Sequence, residues 1–483
     1  MDVRRIIPGL IVAVLCGCAA PSSPAPKYAH TKKNIKLASA SSETVASAAG
    51  PVETELEGAH RVAFYVQFAL QRNPEIRAAQ YGVAARGEVI PQVTALDDPM
   101  LVDTFQPFDD HSVQTAAGRG SNMLSLSQRF PWFGKLRVRG AVAEQETQMA
   151  LTHLAQAQLK VIEDVHLAYY EIYFNQRAIE ITEENEQLLE ELLKFADARY
   201  KTGQASQQDV LRAQVELDKL RSRLISLRRQ YRQTQADLAK VLHTSPGANV
   251  KAADLDVPSA PEEIEQLYEA AIRCRPELQE RLHAIVRDQH AEELARLGYY
   301  PDVTLGVGWQ TITTGAAVSP VANGNDNLSF GAGVNLPIWR DKLRAGVNEA
   351  EHRIVESALH YDAVRDDTFR LIKRLMVQVR ALDQQRSLFQ EGIIPKAEQT
   401  LRVSTADYRV GKVDFQQIID NWSNLLMFQI QLARFQAMSG QALASLERVV
   451  GCELATIPSE EPGDEAVAPK LVAPPQLAEP PSN

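Results

Sequence analysis

One short stretch occurs twice in this chain and restricts the folds open to it. Residues 198–210 and residues 406–418 each contain Tyr, a basic residue, one further residue and then Gly, at Gly203 and Gly411. Each copy is flanked by long runs that are poor in Gly and Pro and therefore suited to helices. A single Gly between two such runs ends a helix in a left-handed cap and lets the chain turn back. The pattern predicts two helical hairpins with one copy at the tip of each.

The two tips belong to an internal repeat whose copies are about 205 residues apart. Residues 72–76, with Asn-Pro-Glu, recur as Arg-Pro-Glu within residues 274–278. The Phe-Pro-Trp-Phe-Gly-Lys run of residues 130–136 is echoed by Leu-Pro-Ile-Trp in residues 336–343. Three landmarks in the same order indicate a duplication. The predicted divisions are a signal peptide at 1–17, a flexible tether at 18–57, a first repeat at 58–250, a second repeat at 251–455 and a Pro- and Ala-rich disordered tail at 456–483.

Each repeat is predicted to contain a helix of about 25 residues, two short strands, a very long helix, the tip and a helix of about 40 residues. Residues 141–202 contain neither Gly nor Pro, so a helix from Leu136 to Tyr200 would be about 100 Å long. The matching helix of the second repeat contains Gly392 and Pro395, and we expect a kink there. Helices of this length indicate a coiled coil or a tube.

The predicted strands alternate between apolar residues and small or polar ones, so that one face of each is apolar. The four stretches are residues 100–106, 124–130, 303–309 and 328–336, of which the last two alternate most clearly. The Gly-, Asn- and Asp-rich segments 109–122 and 315–327 are predicted loops. A strand of about nine residues matches a tilted membrane-spanning strand, which favours this interpretation over two ordinary surface hairpins.

Four strands are too few to close a membrane barrel, because the smallest barrels have eight. An open sheet edge in lipid would leave backbone groups unpaired. The strands must therefore be shared between copies of the chain, and the residues alone allow any number of copies from two upward.

The first residues are typical of an export signal. Arg4 and Arg5 precede an apolar run at residues 6–16, followed by Gly17 and Cys18. The end of this run resembles a bacterial lipobox, which would make Cys18 the first mature residue and its lipid anchor in the outer membrane. An ordinary signal peptide with incidental cysteines is the alternative.

Two further cysteines, Cys274 and Cys452, lie in the part of the chain that would remain after cleavage. An oxidising periplasm would allow them to form a disulfide. We favour two separate buried thiols, and a disulfide is the alternative.

The sequence contains no recognisable catalytic pattern. His-Glu-x-x-His, Gly-x-Ser-x-Gly and phosphate-binding Gly-rich loops are all missing from it. Its ten histidines are scattered and its seven methionines form no cluster, so no cofactor and no metal site is predicted. A net charge of −10, with both signs interspersed, argues against a nucleic-acid partner.

The duplicated Pro-Glu openings, the Trp-containing strand exits and the paired Gly tips resemble the TolC family of outer-membrane efflux channels. The resemblance covers about residues 58 to 455. It implies a mainly α fold with a small β part: a homotrimer in which four strands per chain form a twelve-stranded barrel above a helical periplasmic tunnel. It also implies a periplasmic adaptor and an inner-membrane pump, of the RND type, as partners.

The resemblance assigns functional roles to both tips. In the family the adaptor docks at these turns. The corresponding residues are Thr202, Gly203, Gln204 and Ala205 in the first copy and Val410, Gly411, Lys412 and Val413 in the second.

The same resemblance places a periplasmic gate after the second tip. The family's archetype closes its tunnel there with one basic residue and two aspartates, which correspond to Val413, Gln417 and Asp420 here. Tyr408 and Asp209 match further members of that constriction. Two closing positions are lost, so the archetype's salt-bridge latch is in doubt. Three Asp420 side chains would still form a cation-attracting ring, and a solvated helix-face carboxylate is the equal alternative.

The sequence patterns predict a passive duct in the outer membrane with no catalytic role, and the resemblance implies that it is trimeric and driven by a pump through an adaptor. Metal cations, drugs and secreted proteins all remain open as substrates, and the strand exits weakly favour metal cations. A lipid-anchored, envelope-bridging coiled coil without a pore is the alternative function. The alternating strands discriminate between the two, because a bridging coiled coil needs none.

Overall fold

The computed structural model describes residues 56, 58–105, 114–115, 118–253, 255, 263–313, 324–452 and 454. The predicted signal peptide, nearly all of the tether including Cys18, and the tail lie outside these residues, as do parts of the two predicted loops. The limits of the two repeats stay predictions.

The two halves of the chain share most of their elements in the same order, but the first half has the additional α3 and β3, and the second divides its long helix in two. The first half comprises β1 (Gly58–His60), α1 (Val62–Arg72), α2 (Pro74–Gly87), α3 (Val89–Thr94), β2 (Met100–Phe105), β3 (Gln114–Thr115), β4 (Gly118–Phe130), α4 (Lys135–Lys201) and α5 (Gln207–Val241). The second half comprises β5 (Val250–Ala252), α6 (Ile264–Cys274), α7 (Pro276–Leu297), β6 (Val303–Thr313), β7 (Asn327–Val334), α8 (Arg340–Ser387), α9 (Ile394–Arg409) and α10 (Phe415–Val450).

The long helices agree with the sequence prediction. Helix α4 has 67 residues and is therefore about 100 Å long. Its counterpart, formed by α8 and α9, is interrupted by a π-helical segment at Leu388–Ile393, where the kink was expected. Pro395 has no N–H to offer the carbonyl of Glu391, so the regular hydrogen-bond ladder cannot continue through this point.

The opening helix of the first half is shorter than predicted. Instead of about 25 residues, α2 ends at Gly87 and the short α3 follows. Pro91 explains the break, because it cannot donate a hydrogen bond to the carbonyl of Gly87, four residues earlier. Its counterpart α7 contains no internal proline and runs for 22 residues.

Four strands form an antiparallel sheet in the order β2-β4-β6-β7, and the two-residue β3 also pairs with β4. The register places four apolar residues side by side on one face: Leu101, Leu126, Val307 and Phe330. Their neighbours on the opposite face are Val102, Ser125, Gly308 and Ser329. The predicted alternation is therefore present in β4, β6 and β7, whereas β2 places Asp103 on the apolar face and Val102 on the opposite one. Strand β4 begins at Gly118, so the loop prediction for residues 118–122 was wrong.

The apolar face of this sheet is exposed. Phe330 is 81% exposed, and Leu101, Val307 and Leu328 are also exposed. Within the described residues, β2 and β7 each pair with one neighbour only, so both outer edges of the sheet are open. None of the helices in the described part of the chain is both long and apolar enough to cross a membrane.

One carboxylate joins the two halves where strands give way to helices. Asp302 directly precedes β6 and is 5% exposed. It accepts hydrogen bonds from Lys135 Nζ at 2.6 Å, Arg129 Nη2 at 2.5 Å and the Trp132 backbone N–H at 3.0 Å. Its own N–H donates to the side chain of Asn335, just after β7. Asp302 thus connects the ends of β4 and β7 and the start of α4.

These contacts determine the charge state of Asp302. Burial alone would raise its pKa, but the hydrogen bonds from Lys135 and Arg129 outweigh burial and lower it from 3.8 to about 2. The group therefore contributes stability that is present above pH 3.8 and is lost as the pH falls from there through about 2.

We expect Asp302→Asn to destabilise the fold by about 3–5 kcal/mol, because it leaves the buried Lys135 ammonium without its counter-charge. Thermal unfolding in detergent at neutral pH measures the loss. Asp341→Asn, at a carboxylate whose side chain is 99% exposed, is the matched control and should have little effect. The wild-type protein should lose stability between about pH 4 and pH 2 as Asp302 becomes protonated. The Asp302→Asn variant should lack this acid-induced loss. Equal melting of the two variants would contradict this role.

Candidate functional site at the helical tips

Both tips end their long helix in the same left-handed cap. Gly203 has φ +71° and Gly411 has φ +76°, a region that favours glycine. In the first tip, the Gln204 N–H donates to the Arg199 carbonyl and the Gly203 N–H to the Tyr200 carbonyl, both at 2.9 Å. The same pair of bonds recurs in the second tip. This is the Schellman pattern of helix termination, and it confirms the turns predicted from the sequence.

The chain then re-enters a helix within a few residues. In the first tip, the Ser206 hydroxyl accepts a hydrogen bond from the Gln208 N–H at 3.1 Å and caps α5. In the second, Asp414 occupies the same position before α10 but makes no side-chain cap. The two turns are therefore alike in backbone and different in side-chain chemistry.

Tyr408 is the central side chain between the two tips. It is only 5% exposed, and its ring packs against Phe195 of α4 and Phe415 of α10, with centroid distances of 5.9 and 5.6 Å. Its hydroxyl donates to Asp209 Oδ2 of α5 at 3.3 Å. The structure thus brings together two of the residues predicted for the gate.

Arg199 supplies the contact that the sequence analysis missed. Its guanidinium lies 4.6 Å from the centre of the Tyr408 ring and donates a hydrogen bond to the Tyr408 carbonyl. It also donates to the Gln204 carbonyl of its own tip at 3.3 Å. One side chain from the first repeat therefore binds both turns. A signal was present in the sequence: the second copy has Asp407 at the position of Arg199, so the two tips differ in charge at this point.

The surroundings keep the Tyr408 hydroxyl neutral. Burial, reinforced by the nearby Asp209 carboxylate and opposed by Arg199, raises the pKa of Tyr408 to about 12. At neutral pH the hydroxyl therefore remains protonated and donates to Asp209.

Other predicted gate residues lie apart from this cluster. Asp420 and Gln417 are exposed on α10, and Asp420 accepts hydrogen bonds from Gln416 Nε2 at 2.8 and 3.0 Å. Within one chain, neither residue joins Tyr408 and Asp209 in a shared hydrogen bond.

The predicted docking residues form the outer surface of the two turns. Six are exposed: Thr202, Gly203, Gln204, Val410, Gly411 and Lys412. Ala205 and Val413 are half-buried. Val410 is 67% exposed, so the second turn presents an apolar side chain to its surroundings. In the described part of the chain, no group of three or more His, Cys, Asp or Glu residues is placed to bind a metal ion.

The exposed apolar sheet, the long helical hairpins and the paired tips define an outer-membrane channel protein with a periplasmic extension. The family model for outer membrane efflux proteins matches residues 65–243 and 267–452. The chain belongs to this family of channel proteins and is the outer-membrane component of an efflux system. The predicted family, the mainly α fold with a small β part, the outer-membrane location and the efflux function are confirmed, and the pore-less coiled coil is set aside. The trimer and its shared barrel stay predictions.

Similar proteins support this assignment. Nodulation protein T of Rhizobium leguminosarum bv. trifolii is 22% identical over 411 residues, or 80% of this chain and 84% of that protein. The cobalt-zinc-cadmium resistance protein CzcC of Cupriavidus metallidurans is 20% identical over 66% of this chain and 74% of its own. The solved structure of the outer membrane protein VceC from Vibrio cholerae superposes with a TM-score of 0.68, at 18% identity, over 81% of this chain and 96% of that one.

We expect Arg199→Ala to loosen the second tip more than Tyr408→Phe does. The arginine variant loses both the ring contact and a charge-assisted hydrogen bond, worth about 1.5–3 kcal/mol, whereas the phenylalanine variant loses one hydrogen bond worth about 0.5–1.5 kcal/mol. Hydrogen–deuterium exchange of residues 401–414 measures the difference.

Lys412→Ala, at an exposed residue of the same tip, is the matched control and should leave exchange unchanged. If it accelerated exchange as much as Arg199→Ala did, the contact between the tips would not hold the turn.

Proposed function

We propose that three copies of this chain form one channel, each contributing four strands to a twelve-stranded barrel. The observation that carries the proposal is the open sheet, with its exposed apolar face and its two unpaired edges at β2 and β7. In lipid each unsatisfied backbone group costs several kcal/mol, so these edges must pair with strands of neighbouring copies. The minimum of eight strands requires at least two copies, and the family resemblance supports three.

The helices would extend this channel into the periplasm. Helix α4 begins five residues after β4 ends, so the strands lead almost directly into helices about 100 Å long. The tips then lie at the far end of these helices from the sheet. This position supports docking of a periplasmic adaptor at residues 202–205 and 410–413, with an inner-membrane pump of the RND type behind it.

We assign the periplasmic constriction to the region just past the second tip. Tyr408 and Asp209 hold the two hairpins together there, and Asp420 lies on the exposed surface of α10 a few residues further on. Three symmetry-related Asp420 carboxylates would form a ring that attracts cations. Gln417 contributes no charge, so this gate opens without breaking the ion pair of the archetype.

The duct itself is passive, catalyses no reaction and selects little. The relative CzcC is named for resistance to cobalt, zinc and cadmium, which supports metal cations as the exported substrate. Drugs and secreted proteins are the alternative exported substrates. Cys18 would carry the lipid that anchors each copy to the outer membrane.

We expect Phe330→Lys to prevent assembly in the outer membrane and Ser329→Lys to permit it. The register places Phe330 on the apolar face and Ser329 on the polar face of the same strand. A lysine facing lipid near the bilayer centre costs about 2–4 kcal/mol per copy, whereas a lysine facing the lumen stays in water. Native mass spectrometry of the outer-membrane fraction gives both the yield and the number of chains. Equal yields would contradict the lipid-facing assignment, and any number other than three would contradict the trimer.

Two substitutions at the tip separate the gate from the docking surface. Asp420→Ala should change single-channel conductance in a planar bilayer and lower the preference for cations, because it removes the charged ring. Val410→Asp should leave conductance unchanged and abolish export in cells, because it places a charge in the apolar docking surface. Each variant is the control for the other.

If Asp420→Ala did not affect conductance, the constriction would lie elsewhere in the chain, and the proposal of a pore would still stand. A trimeric sample that stayed silent even after Tyr408→Ala opened the tip contacts would contradict the channel itself.

A further inference from the structure

Two cysteines that are far apart in sequence lie together in the structure. Cys274 is the last residue of α6, and Cys452 follows Gly451 at the end of α10. Almost the whole second repeat separates them, yet the backbone at Gly451 packs on that of Cys274, and the Cys274 side chain raises the pKa of the Cys452 thiol. Both are free thiols in the structure, as the sequence analysis favoured, but they are neighbours and not separate.

The backbone explains why they meet. Gly451 has φ +91° and packs directly on the chain at Cys274 and Arg275. A Cβ atom at residue 451 would lie 2.7 Å from Arg275 Cα and 2.9 Å from the Cys274 carbonyl carbon. This approach is open only to glycine, and it places the next residue, Cys452, beside Cys274.

Packing fixes the pair further. Cys452 contacts the buried cluster formed by residues of α6, α8 and α10, which includes Leu267, Ile372 and Leu446. Each of these three side chains is fully buried, so the helix ends that carry the two cysteines have little freedom to separate.

We propose that Cys274 and Cys452 form a disulfide in the exported protein. An outer-membrane protein folds in an oxidising compartment, where two thiols in contact are converted to a disulfide when geometry permits. The two thiols release two protons and two electrons as their sulfur–sulfur bond forms. A periplasmic thiol oxidant of the protein-disulfide class accepts the electrons and becomes a dithiol, by way of a mixed disulfide with one of the cysteines.

The Cys452 thiol reacts slowly once the protein has folded. Burial and the adjoining Cys274 thiol raise the pKa of the Cys452 thiol, so its thiolate is scarce in the folded protein. Exchange with an oxidant therefore takes place while the chain is still folding. The disulfide closes a loop that contains β6, β7 and the second tip, and attaches the end of α10 to the opening of the second repeat.

Peptide mapping of the full-length protein, purified from outer membranes without reductant and denatured in iodoacetamide, tests the proposal. We expect a linked pair of peptides containing Cys274 and Cys452, and no alkylation of either residue. Cys274→Ser should leave Cys452 fully alkylated, and Cys452→Ser should do the same for Cys274. Alkylation of both cysteines in the wild-type protein would overturn the proposal.

A second measurement does not depend on mapping. Reductant should lower the melting temperature of the wild-type protein by several degrees and leave that of the Cys274→Ser, Cys452→Ser double variant unchanged. Equal melting of the wild-type protein with and without reductant would also contradict the disulfide. Neither result depends on the number of copies or on the pore, so this proposal and the channel proposal can fail separately.

Discussion

The buried Asp302 carboxylate is the interaction on which the arrangement of the two repeats depends. The sheet takes β2, β3 and β4 from the first repeat and β6 and β7 from the second, so it can form only if the repeats are held in one relative position. Asp302 of the second repeat accepts bonds from Arg129 and Lys135 of the first, at the end of β4 and the start of α4. An unpaired charge would be costly at this burial, so the three groups stabilise one another only in this arrangement.

The repeats meet again at the tips, where the duplication has become asymmetric. Arg199 of the first copy reaches the ring and carbonyl of Tyr408 in the second. The reciprocal contact is impossible, because Asp407 replaces the arginine and its carboxylate would be repelled by the face of the Tyr200 ring. Of these two tip tyrosines, Tyr408 is buried, whereas Tyr200 is 42% exposed. The first tip therefore holds the second in place through Arg199, and the second tip makes no equivalent contact in return.

Local patterns predicted the elements well and their long-range contacts poorly. A run without Gly or Pro located α4, alternation located the strands, and a single Gly between helical runs located each cap, since each of these features follows from neighbouring residues. The break at Gly87 required attention to a single proline, Pro91. The parallel pair of β1 with β5 was not predicted, because three-residue strands carry no periodicity. Asp302 and Arg199 were missed for a different reason: each is an ordinary charged residue until its partners in the other repeat are known.

The distribution of charge determines where selection can occur in the proposed channel. The polar face of the sheet is formed largely by small residues, among them Gly306, Gly308 and Ser329, which lack the size to narrow a lumen and the charge to repel ions. Carboxylates are instead found near the tips, with Asp209 bound to Tyr408 and Asp420 exposed. In the proposed channel, a substrate entering from the pump would meet these carboxylates before it reaches the barrel. Any preference of the proposed channel would therefore be exerted at the periplasmic end, where an adaptor and a pump would also act.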